Sequence, residues 1–148
     1  MTKRTSERLS RPTTEQIGVG GVTISDRQKR YVLDALDHNR LSYGPYTAKF
    51  EAEFARRHAR AYAMFCNSGT SALQVALHAL KRHHGWSDGD EVIVPAVTFV
   101  ASANVIIQNQ LKPVFVDIDP LYFELDPTKL EAAITKKSRA IMPVHLFG

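Results

Sequence analysis

The sequence predicts an α/β fold: a largely parallel sheet with helices on both faces, built as one domain. Two observations predict it. From Arg60 onward, short apolar runs alternate with helical patterns of ten or more residues, and strands joined through helices run parallel because such a pair needs a crossover connection. A chain of 148 residues also suffices to hide roughly two thirds of its unfolded surface in a single core. Its 44% hydrophobic and 23% charged residues separate it from disordered and collagen-like chains. Two independent domains are not expected.

Residues 1 to 16 are polar and aperiodic and read as a disordered arm. Ser25-Asp-Arg-Gln28 has the form of a capping box, and the spacing of Tyr31, Val32, Leu33, Ala35 and Leu36 predicts an amphipathic helix over 26–38, stopped by Asn39. A turn through Leu41-Ser-Tyr-Gly-Pro45 leads to a second helix ending near His58. Its Phe50 and Phe54 stand one turn apart and are expected in the core. Ala61-Tyr-Ala-Met-Phe-Cys66 reads as a buried strand. A helix over 70–84 follows, with Leu73, Ala76, Leu77 and Leu80 on one face and Gly85 as its cap. The next elements are a strand over 91–95, a helix over 99–110 and a strand over 113–117. Asp126 then caps, and Pro127 opens, a helix carrying Leu130, Ala133 and Ile134, and a fourth strand is expected over 139–145. The chain ends at Gly148 with no helix to cover that strand, so the expectation is a domain cut short, with an unpaired edge and an apolar face of Ile141, Val144 and Leu146.

Several function classes fall away. No apolar run approaches the roughly 18 residues of a membrane span, since the run from Val92 is broken by Pro95 and Thr98. The net charge of +4 is concentrated in the first twelve residues, where Lys3, Arg4, Arg8 and Arg11 face only Glu7, and a basic tail on a near-neutral body is weak support for nucleic-acid binding. The tail lacks the apolar stretch of a secretory signal, and a lone Cys66 forms neither an internal disulfide nor a thiolate metal cluster, so the expected compartment is the cytoplasm. Metal binding is not expected. Asp117 and Asp119 have no His or Cys nearby and read as a turn with Pro120, and His83 and His84 do not share a helix face. Gly18-Val-Gly-Gly21 is no dinucleotide fingerprint, and neither a Walker sequence nor a Gly-x-Ser-x-Gly elbow occurs.

Two turns remain as candidates for chemistry. Asn67-Ser-Gly-Thr-Ser71 joins a predicted strand to its helix, where free backbone N–H groups and hydroxyls meet the positive end of a helix dipole, a place that suits a phosphate. Ser68 or Thr70 acting as a plain cap is the alternative. The turn from Pro95 to Phe99 lies at the carboxyl end of the next strand, where ligands sit in open α/β sheets. There Phe99 either stacks on a flat heterocycle or packs into the core.

Six blocks, Leu41-Ser-Tyr-Gly-Pro-Tyr46, Asn67-Ser-Gly-Thr-Ser-Ala-Leu73, Gly89-Asp-Glu-Val-Ile-Val-Pro95, Thr98-Phe-Val-Ala101, Pro113-Val-Phe-Val-Asp-Ile-Asp-Pro120 and Pro143-Val-His-Leu-Phe-Gly148, occur in the order found in the DegT/DnrJ/StrS family of sugar aminotransferases. The chain resembles the amino-terminal part of that family over residues 17–148. The resemblance implies an incomplete large domain of the aspartate-aminotransferase-like fold (fold type I of the pyridoxal-phosphate enzymes). It also implies a homodimer and transfer of an amino group, commonly from glutamate, onto a nucleotide-linked keto-sugar. By motif match, Gly69, Thr70 and Ser71 cradle the phosphate of pyridoxal 5'-phosphate. Ser71 stands where the family usually has Ala. Phe99 stacks on the pyridine ring, and Tyr43, Gly44 and Pro45 lie near the substrate entrance. The family's acidic partner of the ring nitrogen and its Schiff-base lysine lie downstream of the block ending at Gly148. None of the eight lysines stands in the lysine motif, and Lys112 falls at the wrong end of the sheet, so this chain alone is expected to be inactive. The alternatives are a dehydratase of the same family, in which His replaces that lysine, and a non-catalytic binding or regulatory remnant.

Overall fold

A computed structural model describes residues 21–146; the polar arm expected over residues 1–16 lies outside them, as do Phe147 and Gly148. The chain divides into two compact units, one reaching Ala48 and one starting at Lys49.

In the first unit, helix α1 (Asp26–Asp37) begins with the expected capping box. The Ser25 hydroxyl accepts the Gln28 N–H, and the Gln28 side chain accepts the Ser25 N–H at 2.6 Å. Asn39 ends the helix in the left-handed region at φ 53°, which Asn tolerates better than most residues, and Arg40 N–H returns to the Ala35 carbonyl at 2.8 Å. Helix α2 (Pro45–Arg57) starts earlier than the turn reading suggests. Proline at a first helical position gives up only an N–H that has no partner there.

The second unit holds the sheet. Helix α3 (Gly69–His84) is capped by Ser68 and closed by Gly85 at φ 65°. Strand β1 (Glu91–Pro95), helix α4 (Ala101–Gln108), strand β2 (Lys112–Val116), a 3-10 turn at Pro127–Lys129, helix α5 (Leu130–Ala133) and strand β3 (Ser138–Ile141) follow. The sheet order is β2-β1-β3, parallel throughout, so the parallel α/β reading holds.

Central β1 is buried at every position. Its Val92 and Val94 pack with Leu77, Val105, Ile106 and Leu111 on one face. Ile93 packs with Val116 and Leu125 on the other, backed by Leu130 and Ala133, so helices cover both faces. The register shift between Glu91 and Val92 leaves Arg139 as an extra residue in β3, and its guanidinium reaches the buried Asp90 at 2.8 Å.

Three expectations are corrected. Residues 61–66 form no strand; no described strand pairs with them, and Tyr62 is 90% exposed. Phe50 and Phe54 are half exposed, packing on each other and, through Phe50, on Phe65. Ala76 and Leu80 lie exposed, leaving Leu77 as the buried residue of α3. Strand β1 keeps its predicted bounds and β2 is shifted by one residue, whereas α4 and the last two elements are shorter than predicted. The 139–145 strand stops at Ile141, and the helix opened by Pro127 is a 3-10 turn plus one turn of α5, because Ile134 has extended backbone.

Candidate active site

Two turns of the second unit lie toward the carboxyl edge of the sheet. The end of α3 is fixed at the amino edge, where Lys81 donates to the Asn109 carbonyl at 2.7 Å and to Asp88, while Gly89 N–H bonds the Gln110 carbonyl just ahead of β1. Sixteen helical residues at about 1.5 Å each carry the other end roughly 24 Å away. Ser68–Ser71 therefore lies toward the edge at which Pro95 passes into residues 96–100, as open α/β sheets require of a ligand site.

At that helix start, the Ser68 hydroxyl accepts the Ser71 N–H at 3.1 Å and the Ser68 carbonyl accepts from Ala72. Ser68 is thus the cap. Capping accounts for the Ser71 amide, and the amides of Gly69 and Thr70, both exposed residues, are the ones a helix start leaves without an intrahelical partner at its positive end. A Cβ built on Gly69 would meet no atom within 4 Å, so nothing in the fold itself asks for glycine at this position. The side chain of Ser71 is turned to Ser68, with the two hydroxyls 3.0 Å apart.

Phe99 is 72% exposed, which decides against core packing. Its segment is nevertheless anchored: Pro95 and Ala101 on either side are buried, Ser102 N–H donates to the Phe99 carbonyl at 3.0 Å, and the Thr98 and Ser102 hydroxyls stand 3.0 Å apart. Sequence reasoning passed over Thr98 and Ser102. Two hydroxyls four residues apart across a helix start were the available signal.

Charges near the sheet are paired. At the carboxyl end of β2, Lys129 bonds Asp117 at 3.1 Å and Asp126 at 3.5 Å; Asp117 is the main reason the Lys129 ammonium is held above its ordinary pKa, and Lys129 in turn lowers Asp117. Lys112 sits at the amino edge on Glu91, as predicted. Asp119 accepts the N–H groups of Leu121 and Tyr122, which makes it a turn residue. Among the described residues no group of three His, Cys, Asp or Glu is placed to hold a metal ion, and no helix is long and apolar enough to cross a membrane.

The remaining candidates lie in the first unit. Tyr43 is exposed, Gly44 gives its carbonyl to Ala48 N–H, and Pro45 opens α2. Gly44 and Pro45 border a cavity of about 490 Å³ together with His38, Arg40, Ser42 and Tyr46. The Tyr46 hydroxyl donates to Asp34 at 2.7 Å, and that bond raises the Tyr46 pKa.

The sequence profile of the DegT/DnrJ/EryC1/StrS aminotransferase family matches residues 22–148. The chain is 43% identical over 134 residues to the GDP-perosamine synthase of Caulobacter vibrioides, covering 90% of this chain and 35% of that protein. It is 42% identical over 127 residues to the enzyme of the same name from Escherichia coli O157:H7, covering 85% of this chain and 34% of that one. Among solved structures, a GDP-4-keto-6-deoxymannose-3-dehydratase with a trapped PLP-glutamate geminal diamine superposes with a TM-score of 0.81 at 30% identity, covering 90% of this chain and 35% of that chain. The chain thus spans about a third of the length of the curated relatives it matches.

Proposed function

The chain belongs to the DegT/DnrJ/EryC1/StrS aminotransferase family, and from that premise we propose that residues 17–148 are the amino-terminal part of the large domain of a pyridoxal 5'-phosphate enzyme. In this reading the whole enzyme is a cytoplasmic homodimer that moves an amino group from glutamate onto a nucleotide-linked keto-sugar in amino-sugar biosynthesis. One observation carries the reading: a helix start with amides left without intrahelical partners and a solvent-held aromatic ring lie toward one edge of a parallel sheet.

The residues present fit the cofactor. Gly69 and Thr70 at the helix start are exposed, where an anion can meet their amides, and Phe99 is exposed with its ring open to a planar ligand. Gly69 and Thr70 would hold the phosphate through their amides, with Ser71 joining them where its N–H and hydroxyl turn from Ser68, and Phe99 would pack on the pyridine ring. Bound there, pyridoxal phosphate supplies an electron sink for bonds broken beside the amino-bearing carbon. By the family match, Tyr43, Gly44 and Pro45 are assigned to the sugar substrate. Of the described lysines near the sheet, Lys129 is held charged by Asp117 and Lys112 lies at the opposite edge, so neither offers a neutral amine beside this site. In this reading residues 17–148 supply part of the cofactor cradle and not the amine that would carry the transfer.

Dehydration is the second reading, favoured by the dehydratase among the structural neighbours. The higher identity to two perosamine synthases favours amino transfer. The test is to incubate the purified chain with pyridoxal phosphate and glutamate, reduce with borohydride and map the lysines. Reversible cofactor binding with no single lysine labelled and no glutamate consumed is expected. Selective labelling of one lysine with turnover of glutamate overturns the inactivity, and failure to bind the cofactor overturns the reading.

A further inference from the structure

We propose that Thr98 is a positioning residue for Phe99, acting through its hydroxyl contact with Ser102, and that it governs the hold of the site on a flat ring while leaving the hold on phosphate unchanged. The inference rests on the cofactor reading above and goes beyond it by assigning a role to residues outside the cradle.

The argument starts from an exposed aromatic ring. Phe99, at 72% exposure, has little packing of its own to fix where it points, so its direction must come from the backbone that carries it. That backbone enters helix α4 without help from a side-chain cap, since Val100 at the cap position makes no such bond. Ser102, inside the first turn, ties the segment instead. It is 5% exposed; its N–H closes onto the Phe99 carbonyl at 3.0 Å, and its hydroxyl meets that of Thr98 at 3.0 Å. Residues 98 and 99 are thereby tied to the first turn of α4 from both sides, one bond through the backbone and one through side chains. Removing either hydroxyl leaves its part-buried partner without that bond and frees the segment ahead of the helix. A ring that must be ordered on binding costs affinity, whereas one already held does not. The amides of Gly69 and Thr70 belong to a different helix, so phosphate binding is independent of this tie.

The experiment measures equilibrium binding of pyridoxal 5'-phosphate and, separately, of inorganic phosphate to the full chain and to Thr98→Val, Thr98→Ser and Ser102→Ala. Thr98→Val and Ser102→Ala are expected to lose about three- to tenfold in affinity for pyridoxal phosphate, the scale of one hydrogen bond, with phosphate affinity unchanged. Thr98→Ser keeps the hydroxyl and is expected to bind like the parent. Unchanged binding by Thr98→Val, or an equal loss for both ligands, overturns the inference while the cofactor reading stands. Failure of the parent chain to bind pyridoxal phosphate overturns that reading instead.

Discussion

Residues 61–66 and strand β1 are both short apolar runs leading into a turn and a helix, yet one lies in solvent and the other is the most buried element of the molecule. β1 has β2 hydrogen-bonded on one side and β3 on the other, and Val92, Ile93 and Val94 are at 0% exposure. Residues 61–66 belong to no strand among the described residues, with Tyr62 at 90%, Met64 at 78% and Phe65 at 53% exposure. At Phe65 the Glu51 carboxylate takes the N–H at 2.8 Å. Composition makes a segment fit to be a strand; only a neighbour with free backbone groups makes it one.

The contrast is sharpened first by truncating a side chain in each region. Ile93→Ala removes packing from a fully buried position and is expected to cost about 2–5 kcal/mol, read as a lower urea midpoint. A cost near zero would break the account of β1 as the centre of the core.

An acid titration probes how β1 is anchored at its amino end. Asp90 is held below the usual carboxylate range first by the Arg139 guanidinium and then by the Ser87 N–H, and Glu91 first by the Thr135 hydroxyl and then by Lys112. Both groups ionise more readily folded than unfolded. Their stabilisation is therefore complete above the unfolded carboxylate pKa, about 4, and is lost as pH falls below it through the lowered folded values. Urea midpoints measured across that window are expected to fall with acid, and more shallowly in Arg139→Ala. An equally steep acid limb in that variant would show that Arg139 does not hold Asp90.

The smallest effect belongs to the exposed run. Tyr62→Ala is expected to change stability by less than about 0.5 kcal/mol despite deleting a larger side chain than Ile93→Ala does. A loss comparable to that of Ile93→Ala would mean that residues 61–66 are packed in solution.

Much of the fold was legible in sequence because the determining signals are local. The Ser25-x-x-Gln28 box, Asn39 and Gly85 all act within a few residues of themselves, and each stands where the pattern put it. β1 was legible to the residue, since a turn at Gly89 and Pro95 bound it. What was not legible depends on distant partners. Phe50 and Phe54 have helical spacing, but no buried surface receives them, and the fate of residues 61–66 is decided by strand pairing. At the candidate site, the helix start and Phe99 could be named from motif and position. The cap role of Ser68, the exposure of Gly69 and Thr70 and the Thr98–Ser102 contact required coordinates.

The claim on which the function rests is that the amides of Gly69 and Thr70 form an anion site beside the Phe99 ring. Amide-resolved NMR titration with inorganic phosphate, then with pyridoxal 5'-phosphate, tests it most directly. The account predicts saturable shifts at Gly69, Thr70 and Ser71 with both ligands, and at Phe99 with pyridoxal phosphate alone. Shifts confined to surface cations such as Arg56 and Lys137, with the Gly69 and Thr70 amides unmoved, would contradict it.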